Sequence, residues 1–111
     1  MIEYVFFLDL KDNQASIEQY DQWHKNVWPE VESQILNAGI FDCKIYRFNN
    51  RLVLIVQSEH PVDWELKSRN DSLHAPTVEW EALMWNFQQA IPGTLPGQKW
   101  MMGQQIYQLK K

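Results

Sequence analysis

The feature that most restricts the fold is a pair of β-rich segments joined by only two residues. Residues 41–48 and 51–58 are rich in β-branched, aromatic and aliphatic side chains, and only Asn49-Asn50 lies between them. Asparagine tolerates the positive φ values of a tight hairpin turn, so the two segments are predicted to be neighbouring antiparallel strands. The rest of the chain must therefore be arranged around a central β-hairpin.

The segments before the hairpin predict one strand and two helical pieces. Residues 2–10 are too short for a typical buried helix and rich in β-branched and aromatic residues, which is typical of a strand. Ser16, followed three residues later by Gln19, has the spacing of a capping box and predicts a helix start. Pro29 then interrupts the helical ladder and opens a second helical piece, which is predicted to run to Ala38.

The segments after the hairpin predict a second helical region and a final strand. The helical region is expected from near Pro61 to Gln89, with an interruption over residues 70–75. Prolines and glycines between residues 92 and 97 enforce a loop. A last strand is predicted from Lys99 or Trp100 to Leu109, with its expected packing positions at Ile106, Tyr107 and Leu109.

The resulting order, β-α-β-β-α-β, is that of a ferredoxin-like α+β fold, and 111 residues suit a single domain over 1–111. Both faces of the predicted sheet are apolar. Val5 and Phe7 alternate with other apolar residues of the first strand, and Val53 and Ile55 do the same in the third. A sheet with helices on one side only would alternate apolar with polar residues, so the pattern predicts a homodimer in which a second copy covers the open face.

Charge and composition exclude several classes of function. The net charge is −4 and no dense run of Lys or Arg is present, so nucleic acid is not expected as a partner. The aliphatic run 52–56 is far shorter than the roughly 20 residues of a membrane span. The single Cys43 cannot form an internal disulfide, and Glu3 lies where a secretory signal would carry positive charge. A cytoplasmic protein with no membrane segment is predicted.

Neither a nucleotide nor a metal site is predicted from the motifs. The four glycines are not spaced as a phosphate-binding loop, and the three histidines lack the spacing of zinc ligands. The candidate constellation is instead Tyr20 and His24, one helical turn apart, just before the break at Trp28-Pro29. Their spacing fits either buried core residues or a pocket in which His24 transfers a proton near neutral pH. Glu79-Trp80 is equally open to two interpretations, as part of a helix stripe or as a hydrogen-bond acceptor beside a stacking platform for a sugar.

A resemblance to a known family adds to this interpretation. The stretch from Tyr20 to Glu30 (YDQWHKNVWPE), followed by Ala38-Gly39-Ile40, resembles the signature of the L-rhamnose mutarotase family. The later segments 79–84, 87–89 and 96–100 look more like the branch described as L-fucose mutarotases. The likeness covers nearly the whole chain.

The resemblance implies a dimeric α/β barrel that needs no cofactor and interconverts the α and β anomers of a 6-deoxy-L-hexose. In this family His24 matches the general acid, Tyr20 a sugar-contacting tyrosine and Trp28 a residue of the same signature. Cys43 stands where the rhamnose enzymes carry a substrate-contacting tyrosine, and Glu79-Trp80 stands where they carry a tryptophan pair. These departures favour L-fucose over L-rhamnose.

Two other functions remain open from the sequence. Small ferredoxin-like dimers also include monooxygenases and haem-degrading enzymes, which share the fold but use other pocket chemistry. A non-catalytic module of the same fold would bind a sugar without changing the rate at which its anomers exchange.

Overall fold

The computed structural model describes residues 1–110 and confirms a mixed α+β fold around one antiparallel sheet. In chain order the elements are β1 (Ile2–Leu10), α1 (Gln14–Trp23), α2 (Pro29–Asn37), β2 (Ile40–Phe48), β3 (Arg51–Ser58), α3 (Trp64–Ser72), α4 (Ala75–Trp85), β4 (Gln88–Gln89) and β5 (Met101–Met102). The strand order is β2-β3-β1-β4, and β5 pairs with β1 as well. This is the ferredoxin-like arrangement predicted from the sequence.

The central hairpin forms as predicted. Strand β2 pairs with β3 over their whole length, from Ile40 opposite Ser58 to Phe48 opposite Arg51. Asn49 in the turn has φ 52°, the left-handed conformation that asparagine tolerates better than most residues. Strand β1 then pairs with the other edge of β3. The hairpin thus sets the register of the three long strands.

The start of α1 differs from the prediction. The helix begins at Gln14, and its N-cap is Asn13 rather than Ser16. The Asn13 side-chain oxygen accepts a hydrogen bond from the Ser16 backbone N–H at 2.8 Å, which satisfies one of the free donors at the helix start. Asparagine is at least as good an N-cap as serine, so the earlier capping residue defines the helix start.

The break between α1 and α2 is confirmed. Helix α2 has Pro29 in its first turn and ends at Asn37, after which Gly39 adopts φ 89°. A positive φ is the usual way to terminate a helix, and glycine adopts it without a Cβ clash. The four helices have between 9 and 11 residues, and within residues 1–110 none is long and apolar enough to cross a membrane.

The prediction for the end of the second helical region is wrong by four residues. Helix α4 ends at Trp85, and Gln88 and Gln89 instead pair with Leu10 and Asp9 as strand β4. Phe87 continues the apolar helical spacing of the sequence, but it is buried because it lies at the turn into β4. The helical spacing of apolar residues in the sequence therefore continues beyond the last residue of the helix.

The predicted last strand is only two residues long. Met101 and Met102 pair with Phe7 and Phe6, and the Gly103 N–H donates to the Val5 carbonyl at 2.7 Å, after which no ladder is formed up to residue 110. The three residues expected to pack, Ile106, Tyr107 and Leu109, are 92%, 73% and 66% exposed. A single chain provides no apolar surface beneath them, so the prediction that they pack is wrong for one copy.

The two faces of the sheet are both apolar, as predicted, but only one is covered. The inner face carries buried residues that pack against the helices, among them Phe6, Leu8, Leu52 and Val56. Residues paired directly across an antiparallel sheet project to the same face. The pairs Val5–Ile55, Phe7–Val53 and Tyr46–Val53 therefore define an outer face, whose apolar residues include Val5, Phe7, Tyr46, Val53 and Ile55. None of these five apolar side chains is fully buried. The same registers place the polar residues Glu3, Asp9, Lys44, Arg51 and Gln57 on this face.

Candidate active site

A cavity of about 800 Å³ lies between the inner face of the sheet and the helices. Its walls include Phe6 and Leu54 from the sheet, Tyr20 and His24 from α1, and Trp80 from α4. The volume falls within the roughly 300–1,000 Å³ typical of small-molecule sites. The lining mixes apolar side chains with a limited set of polar groups, which is the usual composition of a site that orients a small polar ligand.

His24 lies at the C-terminal end of α1, and its geometry fixes the protonation of one ring nitrogen. Its Nδ1 is 2.9 Å from the Tyr20 backbone oxygen. A carbonyl oxygen only accepts hydrogen bonds, so Nδ1 carries the proton and donates it. The neutral imidazole then has Nε2 as its free acceptor, and the protonated ring has Nε2–H as its free donor. His24 is the only histidine among the cavity residues.

Tyr20 is a buried hydrogen-bonding group and not a base. Its side chain is only 3% exposed, and its ring centroid lies 4.3 Å from that of His24. Burial, aided by the negative charges of Glu81 and Asp21, raises the pKa of Tyr20 well above its usual range, although the hydrogen bond from Gln88 acts in the opposite direction. The phenol therefore stays protonated throughout the physiological pH range. It can donate a hydrogen bond to a ligand.

An aromatic cluster supports His24 from the side of α4. The Trp80 ring is 5.6 Å from the His24 ring and 5.1 Å from the Trp28 ring, both in edge-to-face geometry. Trp80 lines the cavity, whereas Trp28 is half-buried and packs behind Trp80 without lining it. The break before α2 thus places Trp28 as a support for the cavity wall.

The two remaining predicted site residues are in different environments. Cys43 lies on β2, opposite Val56, and lines the cavity. Desolvation and the nearby Asp42 raise the pKa of the Cys43 thiol, which disfavours the reactive thiolate. Glu79 is exposed on α4 and is not among the cavity residues. Glu79 and Glu81 both adjoin Trp80 in the helix but lie about 200° apart around its axis, so only Glu81 shares the cavity side with Trp80.

The structure adds polar groups that the sequence did not identify as site residues. Gln88 is buried, lines the cavity and donates from Nε2 to the Tyr20 hydroxyl at 3.4 Å. Gln88 lies in segment 87–89, which resembles the L-fucose branch, but that resemblance gave it no role, and its position was predicted to be the end of a helix. Its burial follows from its place in β4, where it pairs with the fully buried Leu10.

Two ion pairs also lie in the cavity wall. Lys99 pairs with Glu81 at 2.6 Å, and Lys67 pairs with Asp71 at 2.5 Å. These four charges neutralise one another, and Glu32 is a further carboxylate of the lining, so no unpaired Lys or Arg among the described residues lines the cavity to bind an anionic ligand. Across residues 1–110, no group of three or more His, Cys, Asp or Glu side chains is arranged to hold a metal ion.

Comparison with solved structures agrees with this fold. The crystal structure of an L-rhamnose mutarotase from Formosa agariphila superimposes with a TM-score of 0.71, covering 99% of this chain and 100% of that one at 16% identity. The tetracenomycin F2 cyclase of Streptomyces glaucescens, a polyketide cyclase, has a TM-score of 0.63 at 12% identity, with 100% and 99% coverage. At these identities the two likenesses establish the fold alone.

Sequence comparison is more specific. The family model described as L-rhamnose mutarotase matches residues 3–109. An L-fucose mutarotase of Xanthomonas campestris pv. campestris is 40% identical over 108 residues, which cover 96% of this chain and 86% of that protein. A UPF0734 protein of Dictyostelium discoideum is 31% identical over 110 residues, with 96% and 88% coverage. With a match over nearly its entire length, the chain belongs to the L-rhamnose mutarotase family and is a sugar mutarotase, an isomerase.

Proposed function

We propose that the protein interconverts the α and β anomers of a 6-deoxy-L-hexose, with L-fucose preferred, and that His24 is its acid–base residue. The observation that carries the proposal is the His24 geometry at the cavity wall. The bond from Nδ1 to the Tyr20 carbonyl holds the ring in one tautomer and leaves Nε2 free for proton transfer.

The reaction needs one proton to move between two oxygens of the sugar. The anomeric hydroxyl loses its proton while the bond from C1 to the ring oxygen breaks, and the ring oxygen takes up a proton to give the open-chain aldehyde. After rotation about C1–C2, the freed hydroxyl attacks the opposite face of C1 and the proton returns. Nε2 of His24 gives and takes the proton in these steps, which is the role of a general acid and base.

The other cavity residues bind and orient the sugar. Tyr20, held protonated by burial, donates to a sugar oxygen. Trp80 offers an apolar surface to the C–H face of the ring, and Trp28 supports it. Cys43 provides a small side chain on β2, where the rhamnose pattern has a tyrosine, and so leaves space for a different arrangement of hydroxyls. Glu79 is exposed, and no contact in the structure supports the interpretation that it binds the sugar hydroxyls.

The preference for L-fucose rests on the 40% identity to the Xanthomonas L-fucose mutarotase and on the change at Cys43. L-Fucose has its axial hydroxyl at C4, whereas L-rhamnose has it at C2, so a site fitted to one leaves polar groups unpaired with the other. NMR saturation transfer between anomeric protons, with and without protein, measures exchange directly. The largest acceleration is expected with L-fucose, followed by L-rhamnose. D-Galactose, whose ring has the mirror-image configuration of L-fucose, serves as the comparison sugar.

Faster exchange of L-rhamnose would contradict the sugar preference while leaving the reaction intact. Binding of L-fucose without any acceleration would identify a sugar-binding module instead of an enzyme. No observation in the cavity favours the alternative of a monooxygenase or haem-degrading enzyme.

We further propose that the working unit is a homodimer. The outer face presents an apolar surface with no helix over it, and the segment 104–110 leaves the sheet with Ile106, Tyr107 and Leu109 exposed. A second copy that covers the outer face and receives this segment removes both from water. Light scattering at micromolar concentration is expected to give twice the chain mass, and Val53→Glu to give the monomer. A monomeric wild-type protein would contradict the proposal.

The single free Cys43 is consistent with a reducing compartment, and we propose that the protein acts in the cytoplasm on a free monosaccharide.

A further inference from the structure

We propose that Gln88 is a substrate-contacting residue that contributes to sugar specificity. The contact is made by the free arm of its amide group, which is the side that has no hydrogen-bond partner among residues 1–110. This inference rests on the proposed function, because it assigns a contact within the same cavity. It gives a role to a residue of segment 87–89 for which neither the resemblance nor the comparison with relatives states one.

The first observation is the unpartnered polar atom. Gln88 is 4% exposed, and its Oε1 is buried with no hydrogen-bond partner. Trp64 Nε1 is the other buried side-chain atom without a partner in the portion of the chain that the structure describes, and both residues line the cavity. Buried polar groups are nearly always hydrogen-bonded, so two unpaired ones in one cavity indicate a polar ligand that completes them.

The second observation is that the position would otherwise suit an apolar residue. Gln88 pairs with Leu10, which is fully buried, and so projects toward the same inner face. It lies beside the core cluster that contains Tyr20, Trp80 and Met84. A glutamine here loses its hydration without gaining a full set of protein partners, which costs stability. Strand pairing also holds its backbone in place, so the amide is presented from a rigid element.

The chemistry of the free arm matches a sugar hydroxyl. One arm of the amide faces the Tyr20 hydroxyl, at 3.4 Å from Nε2. Turning the amide by 180° exchanges the two arms, so the free arm is an acceptor in one orientation and a donor in the other. A hydroxyl group both donates and accepts, and it satisfies either orientation. A carboxylate or an ammonium group satisfies only one of the two orientations, and an apolar ligand satisfies neither.

The position of Gln88 places this contact close to the reacting end of the cavity. Tyr20 links the two residues, because its hydroxyl meets Gln88 and its ring lies 4.3 Å from the His24 ring. A sugar that binds Gln88 through one hydroxyl is therefore held close to His24, the proposed proton-transfer residue. A sugar that lacks this hydroxyl, or has it in the other configuration, leaves the amide unpaired again.

The test compares Gln88→Met with Gln89→Met. Methionine has a similar length and shape but no amide, and Gln89 is the exposed neighbour of Gln88 in the same strand. For each variant, the Kd of L-fucose and its anomeric exchange rate are measured, together with those of the three deoxy analogues that lack the hydroxyl at C2, C3 or C4. Gln88→Met is expected to weaken L-fucose binding about tenfold, with Gln89→Met unchanged.

The deoxy analogues distinguish a direct hydrogen bond between Gln88 and the sugar from an effect of Gln88 on the shape of the cavity. If Gln88 bonds a hydroxyl, the one analogue that lacks it binds wild type and Gln88→Met equally, while the other analogues keep the tenfold difference. The melting temperature of Gln88→Met is expected to change little, because removing the unpaired Gln88 oxygen and losing the long hydrogen bond to Tyr20 act in opposite directions. Equal losses for all four sugars, or no loss, would overturn the proposal. If wild type binds L-fucose without accelerating exchange, the proposed function fails, and the Kd values still decide the role of Gln88.

Discussion

Removing one oxygen atom from Tyr20 tests whether this residue binds the sugar or transfers the proton. In Tyr20→Phe the ring contact with His24 is kept, at 4.3 Å between centroids, and only the hydroxyl is lost. The hydroxyl has one protein partner, the Gln88 amide at 3.4 Å, which is beyond the usual 2.7–3.2 Å range for such a bond. We therefore expect a loss of about 1 kcal/mol or less in the free energy of unfolding.

The expected effect of Tyr20→Phe on activity follows from the loss of one neutral hydrogen bond to the sugar. Such a bond contributes about 0.5–1.5 kcal/mol, so kcat/KM for L-fucose is predicted to fall roughly 2- to 10-fold. The pH profile between 5 and 9 is expected to keep its shape, because burial keeps Tyr20 protonated across that range. Exchange rates from saturation transfer are compared with those of Tyr46→Phe, which removes the same hydroxyl from a tyrosine that does not line the cavity. A loss of ~10³-fold in kcat would refute the reasoning, since a loss of this size is typical of a proton-transfer residue.

Two further predictions concern stability. Because the pKa of Tyr20 is raised in the folded protein, the unfolded chain loses this proton first as the pH rises past about 10, so the free energy of unfolding falls there. Thermal melts from pH 8 to 11 are expected to show a shallower fall for Tyr20→Phe than for wild type, and parallel curves would contradict the assignment. Asn13→Ala is expected to destabilise the protein by about 1 kcal/mol through loss of the α1 cap, whereas Ser16→Ala changes little because Ser16 contributes only its backbone N–H. Denaturant unfolding of both variants distinguishes the two, and the reverse ranking would restore Ser16 as the cap.

Local signals were sufficient to predict most of the fold. Asn49-Asn50, Pro29 and Gly39 each restrict the backbone by their own chemistry, and each produces the predicted turn, helix start or helix stop. Phe87 shows the limit of periodic patterns. Its helical spacing matches that of Trp80 and Met84, but it is buried at the turn into a strand, and a pattern of burial does not state which backbone conformation produces it.

The tail could not be predicted correctly from one chain. The apolar residues Ile106, Tyr107 and Leu109 favour a packed strand, yet all three are exposed in the single copy. The strand ends at Met102, and in the dimer proposed above a second copy would cover these exposed residues.

The part of the site that depends on the spacing of residues along a helix could be predicted from the sequence. Tyr20 and His24 share a face because they are one turn apart, and the structure brings both to the cavity with Trp80. Glu79 lies outside the cavity because it is about 200° around the helix axis from Glu81, the neighbour of Trp80 that does line the cavity. Gln88 was not foreseen, because its importance comes from an unpaired amide at a place where three elements meet, and no sequence spacing encodes that contact.

The most direct test of the central claim is the rate of anomeric exchange of L-fucose in the presence of His24→Ala. Loss of the imidazole removes one backbone hydrogen bond and the ring contacts with Tyr20 and Trp80, so the protein is expected to stay folded by circular dichroism. The acceleration is predicted to fall by ~10²–10⁴-fold, while His60→Ala, a change at an exposed histidine, keeps the wild-type rate. A folded His24→Ala that retains the full acceleration would contradict the claim that His24 carries the proton.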